Sequence, residues 1–156
     1  MKIDRVSISN FGIISNINLD ISKKEGSLVF LNGRNGRGKT TFQSALRWCF
    51  YGEEPSISKF LSTFALANAK SGEVLTTSVT AEIKMDVEGS TAVIERTQTF
   101  QKTDSGEVKR IGQSQINVKT RGAVAGSLTE VKTESEGEKW LQSYFPKRLI
   151  NFFLFK

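Results

Sequence analysis

Eight residues of this chain stand in a pattern suited to holding phosphate. Gly33-Arg34-Asn35-Gly36-Arg37-Gly38-Lys39-Thr40 satisfies G-x-x-x-x-G-K-[ST] at every fixed position. Glycines let a loop turn its backbone N–H groups inward around phosphate oxygens. A helix that starts there adds unpaired N–H donors and a positive dipole end. Lys39 would reach the β- and γ-phosphates as a point charge, and Thr40 would offer its hydroxyl to Mg²⁺. The nucleotide-contacting set is therefore Gly33, Arg34, Asn35, Gly36, Arg37, Gly38, Lys39, Thr40 and Thr41, with Thr40 as metal ligand. The competing reading, a glycine-rich turn with an accidental match, fits the flanking segments less well.

Those flanks are the elements that must position the loop. Leu28-Val29-Phe30-Leu31 is a continuous apolar run, as expected of a strand buried on both faces. Phe42, Ala45, Leu46 and Cys49 fall at i, i+3, i+4 and i+7, which predicts a helix over 39–51 stopped by Gly52. Before the loop, Val6 and Ile8 share one face of a strand within 2–11, and Ile17, Leu19 and Ile21 alternate with polar residues. After it, Ile57, Phe60, Leu61 and Phe64 repeat a helical spacing. Val79, Ala81, Ile83, Met85 and Val87 then alternate with Thr80, Glu82, Lys84 and Asp86, the clearest strand signal in the chain. Glu88-Gly89-Ser90 reads as a turn into a partner strand through Ala92 and Ile94, and Thr103-Asp104-Ser105-Gly106 as the next turn. Ile116 and Val118 mark a further strand, and 122–132 reads as a mobile loop. Thr133-x-x-Glu136 opens a last helix as a capping box, with Trp140, Leu141, Tyr144 and Phe145 as its buried face and Pro146 as its stop. Leu149 to Phe155 reads as a buried strand. Because termini are usually polar and frayed, that apolar end leads us to expect one piece of a longer protein.

Composition removes whole classes of chemistry. The chain has 156 residues, one Cys and no His. That leaves no disulfide framework, no His-based nucleophile pair and no ordinary zinc site. No apolar run reaches the ~18–20 residues needed to cross a bilayer, and the start lacks a signal peptide's features. We expect a cytoplasmic protein with no membrane partner. Lys plus Arg outnumber Asp plus Glu by 22 to 16, a net charge of +6 that favours polyanionic partners. Hydrolysis would also need an acidic residue on the metal and a group that positions water. The only segment that offers one, Ala81 to Asp86, alternates with charges inside an apparent hairpin and is a poor source. We expect no catalytic carboxylate in this chain.

The chain resembles a family at both ends. Ile3 to Phe11 (Ile-x-x-Val-Ser-Ile-Ser-Asn-Phe), the loop Asn32 to Thr41, and Ala45-Leu46-Arg47-Trp48-Cys49-Phe50-Tyr51-Gly52 look like the N-terminal lobe of the SMC/RecF-type ABC ATPases. That group includes the ATPase of the double-strand-break repair complex, and the closest flavour is that of DndD-like proteins of DNA modification and defence. Phe145 to Phe155 resembles the strand entering that group's Q-loop. The resemblance implies an α/β P-loop NTPase fold with a mixed β-sheet and an antiparallel β-rich subdomain. Residues 1–55 would carry the strands, loop and helix, 74–120 the β block, and 133–156 the helix and strand toward the Q-loop. It implies ATP and Mg²⁺ as cofactors. It also implies a coiled coil and a C-terminal lobe absent here, with that lobe, a second head in a homodimer, DNA, and a nuclease or other subunits as partners. Two positions depart from the family. Many relatives carry a basic residue straight after the Asn-Phe of the first strand, where this chain has Gly12. Lys156 falls near where relatives place Gln or Asp.

For DNA contact the basic candidates are Lys109, Arg110, Lys119 and Arg121, with Lys102 nearby and Lys147 and Arg148 after the last helix. They would neutralise phosphates without reading sequence. An ordinary charged hairpin surface is the competing reading. Arg34 and Arg37 sit inside the phosphate loop, while Trp48, Trp140 and Phe152 read as core rather than as stacking platforms. Two functions remain open beside the ATPase. One is a non-hydrolysing module in which nucleotide switches partner or DNA binding; the other is a P-loop enzyme of another branch, such as a kinase.

Overall fold

Alternation of apolar and polar residues drives six segments of this chain into strands, and the computed structural model describes residues 2–23, 32–85, 90–122 and 130–146. β1 (Lys2–Phe11) and β2 (Ile14–Asp20) form a hairpin through Gly12-Ile13. β3 (Val74–Lys84), β4 (Thr91–Lys102), β5 (Val108–Arg121) and β6 (Glu130–Thr133) follow as a meander. All six join one sheet in the order β2-β1-β3-β4-β5-β6, and every described pairing is antiparallel. The β block expected over 74–120 is antiparallel and shares one sheet with the first hairpin. The sequence reading also expects a mixed sheet. The segments that would make it mixed, 28–31 and 149–155, lie outside the described residues, as do Asp86 to Gly89, Lys147, Arg148, Phe152 and Lys156.

One face of the sheet is apolar. Val6, Ile8, Val79, Ala81, Ile83, Ala92, Ile94, Ile116 and Val118 alternate onto it and are buried. α1 (Lys39–Tyr51) and α4 (Glu134–Tyr144) cover that face. α1 spans the residues that its apolar stripe predicts. Gly52, at φ 66°, ends it by adopting the left-handed conformation and donating its N–H to the Trp48 carbonyl at 2.9 Å. Trp48 is fully buried and packs edge-on to Phe60 at 4.7 Å, with Phe11 5.7 Å from Trp48 and 5.4 Å from Phe60. This ring cluster binds the end of β1 to the last turn of α1 through dispersion and ring-edge electrostatics.

Several elements differ from the sequence reading, each for a tertiary reason. The helix expected through Ile57 and Phe64 is broken into α2 (Ile57–Phe60) and α3 (Thr63–Asn68). Leu61 between them is extended and bridges to Phe11, while Ile57 and Phe64 are exposed. Within the expected loop 122–132, residues from Glu130 onward form β6, paired Val118↔Lys132 and Lys119↔Val131. Thr133 stands at the N-cap of α4 but makes no capping bond, because Glu134 takes a left-handed φ of 48°. Leu141 and Phe145 are buried as expected, but Trp140 is half-buried and Tyr144 is exposed.

Candidate functional site

The loop from Asn32 to Arg37 is solvent-exposed and ends at the amino terminus of α1. Gly36 and Gly38 hold φ values of 77° and 90°, a conformation that side-chain-bearing residues adopt at a cost of about 1–2 kcal/mol. The spacing of the motif therefore matches where the backbone must turn left-handed. Gly38 is the N-cap and its carbonyl accepts the first helical bond, from Phe42 N–H at 2.8 Å. No side chain caps the helix, and its first turn carries no acidic group to offset its positive end. Lys39 folds back onto the loop. Its Nζ donates to the carbonyl of Gly33 and, at 3.2 Å, to that of Arg34. Thr40 is exposed beside it, with Arg34 and Arg37 exposed on the loop. The Lys39 ammonium, the Thr40 hydroxyl and the backbone N–H groups at the start of α1 form a donor set that fits a nucleotide's phosphates and a divalent cation.

The β1–β2 turn props this loop from below. Gly12 sits at φ 58°, and a Cβ there would lie 2.6 Å from Thr41 Cγ2 and 3.2 Å from the Lys59 carbonyl. Ile13 continues the contact, its Cδ1 3.5 Å from where a Gly38 Cβ would be. The departure at Gly12 thus has a physical cause: the turn approaches α1 too closely for any side chain. Asn10, also left-handed at φ 54°, steadies the turn by donating its side-chain amide to the Thr76 carbonyl at 3.1 Å.

The chain matches the AAA domain family over residues 5–155. The chain belongs to that family. The AAA domain is a P-loop ATPase-type domain of the kind found in SMC-like ATPases, so its coarse function is ATP and nucleotide binding. No curated protein matches the chain. None of the described helices is long and apolar enough to cross a membrane.

In this AAA domain the basic candidates separate onto different faces. Arg110 points to the covered side, where both its terminal nitrogens donate to the Glu54 carboxylate and its guanidinium lies 5.8 Å from the Phe60 ring centroid. That pairing holds the Glu54 carboxyl below its ordinary value. Lys102 is also engaged, donating to the carbonyls of Leu66 at 3.1 Å and Ala69 at 2.9 Å at the end of α3. Lys109, Lys119 and Arg121 are exposed on the opposite face. The register adds two lysines that sequence reasoning missed: Lys2, Lys84, Thr91 and Arg121 stand in one row across β1, β3, β4 and β5. Lys119 lies one row in on the same face, opposite Val93. Lys109 sits at the far end of β5, away from that row. Lys2 and Lys84 are remote in sequence, and only the pairing of β1 with β3 unites them.

The single thiol takes no part. Cys49 is buried, its Sγ 3.6 Å from the Val79 carbonyl, and burial pushes its pKa up to about 12. A cleft of about 900 Å³ lies at the other end of α1 from the loop, floored by Arg96 and walled by Phe50, Tyr51, Glu138 and Phe145.

Proposed function

We propose that this AAA domain is the ATP-binding half of an SMC-like ATPase that acts on DNA. The observation that carries the nucleotide part is the loop itself: left-handed Gly36 and Gly38 ahead of an uncapped helix, with Lys39 folded over the carbonyls of Gly33 and Arg34. On binding, Lys39 would exchange these two neutral acceptors for anionic phosphate oxygens, a stronger charge-assisted contact. The N–H groups of the loop and of the first turn of α1 would surround the same phosphates. The Thr40 hydroxyl would hold Mg²⁺, which, when bound, neutralises charge on the phosphates. Hydrolysis would draw its carboxylates from a C-terminal lobe, with a second head closing over the nucleotide. Repair, modification and defence are the settings that the resemblance suggests, with a nuclease or other subunits as further partners. The row of Lys2, Lys84 and Arg121, with Lys119 behind it, is what supports DNA as a partner.

Calorimetry with ATP and Mg²⁺ tests the reading. Lys39→Ala should weaken binding by about 2–3 kcal/mol, the worth of a hydrogen bond to a charged group, with the melting temperature unchanged because Lys39 is exposed. Equal binding by both forms would refute the assignment. ATP binding with turnover at background, even with the second lobe supplied, would favour the non-hydrolysing switch.

A further inference from the structure

Arg96 is a charged group in a place that packing alone does not explain. It projects from β4 onto the covered face between the positions of Ile94 and Gln98, and only 3% of its side chain is exposed. An apolar side chain there would stabilise the fold at least as well, because burying a guanidinium forfeits hydration that one partner rarely restores. What the guanidinium does is tie three elements together. Nε donates at 3.2 Å to the carbonyl of Cys49, in the last turn of α1. Nη1 donates at 2.6 Å to the Glu138 carboxylate on α4. The group also lies against Gly52, where a Cβ would sit 3.6 Å from Nη1. A cation here opposes the negative end of the α1 dipole.

We propose that Arg96 is a positioning residue for the phosphate loop, acting through α1. The helix is a rod of 13 residues whose first two are Lys39 and Thr40. Its amino end rests on the turn at Gly12, and its carboxyl end is pinned to β4 and α4 by Arg96. Contacts at both ends oppose sliding of α1 along its axis and rolling about it. Small displacements of positioned groups carry large binding and rate penalties, so the reach of Lys39 depends on the far end of its helix. The proposal rests on the reading of Gly33 to Thr41 as the nucleotide site, and extends it to a side chain that touches no nucleotide.

The test is ATP affinity of the intact protein, measured on wild type, Lys39→Ala, Arg96→Met and Glu138→Ala at a temperature where circular dichroism shows each folded. Arg96→Met keeps the apolar stem and removes both bonds. Glu138→Ala cuts only the tie to α4, at a side chain 39% exposed, so it decides the matter if Arg96→Met does not fold. Both should weaken ATP binding about tenfold and speed amide exchange at Thr40 to Gln43, and Arg96→Lys should restore part of the loss. Lower melting temperatures with unchanged affinity and unchanged exchange would overturn the proposal and leave Arg96 purely structural. If Lys39→Ala binds ATP as wild type does, the nucleotide reading fails first and the positioning role falls with it.

Discussion

At the scale of single residues, the strictest demands fall on glycines that border the loop. Gly12→Ala must tolerate a Cβ 2.6 Å from Thr41 Cγ2 at a φ of 58°. Left-handed strain alone costs about 1–2 kcal/mol, and the clash requires the turn or α1 to shift. We expect a loss of about 2 kcal/mol in denaturant unfolding, accompanied by weaker ATP binding. A Gly36→Ala control has nothing within 4 Å of its new Cβ, so it should show the backbone strain without the clash. Equal destabilisation by the two would mean that the approach of Gly12 to Thr41 is unimportant. The left-handed turns at Gly36 and Gly38 were legible from sequence because the motif encodes backbone geometry directly. Gly12 was legible only as a departure, since its reason is a neighbour distant along the chain.

At the scale of elements, α1 was legible in full because its period, apolar stripe and glycine stop are all local. The break between α2 and α3 was not, since Leu61 leaves the helical path to bridge Phe11 in a strand far upstream. The missing cap at Thr133 has the same character, as Thr133 is still paired in the sheet with Asn117 and Glu134 after it turns left-handed. One element pairing offers a pH handle. Glu54, after α1, is held by Arg110 of β5, and its carboxyl sits below the ordinary 4.5. A depressed carboxyl stabilises the fold above its unfolded pKa, and that contribution disappears as pH falls through the folded one. Stability should therefore drop by about 0.5–1 kcal/mol, the range for partly exposed ion pairs, as pH falls from above the ordinary carboxyl value to below the depressed one. Glu54→Gln should flatten that part of the profile. A variant as acid-sensitive as wild type would assign the effect to other carboxylates.

At the scale of the whole molecule, the sheet creates the basic row. No reading of the chain placed Lys2 and Lys84 together, because their proximity is a matter of register. If this row contacts duplex DNA, each neutralised phosphate contributes about −0.9 to the slope of log K against log salt. Reversing Lys84, Lys119 and Arg121 to Glu should flatten the slope by about 2–3, whereas Lys109→Glu, at the far end of β5, should change it little. An unchanged slope in the triple variant would place DNA elsewhere or remove it as a partner. The strand order also has a consequence for how the chain acquires its shape. β3 to β5 are neighbours in sequence and can zip together early. β1 must instead capture β3 across the whole stretch that holds the phosphate loop, Ser9 meeting Ser78 and Lys2 meeting Lys84. Closing so long a loop costs more chain entropy than a hairpin turn and slows the step. Pulse-labelled amide exchange during refolding should protect Ile94 and Val118 before Val6 and Ile8. Simultaneous protection would refute this order. The nucleotide loop would then be born late, and any ribosome-bound or partly refolded chain would already own a meander while still unable to recognise ATP.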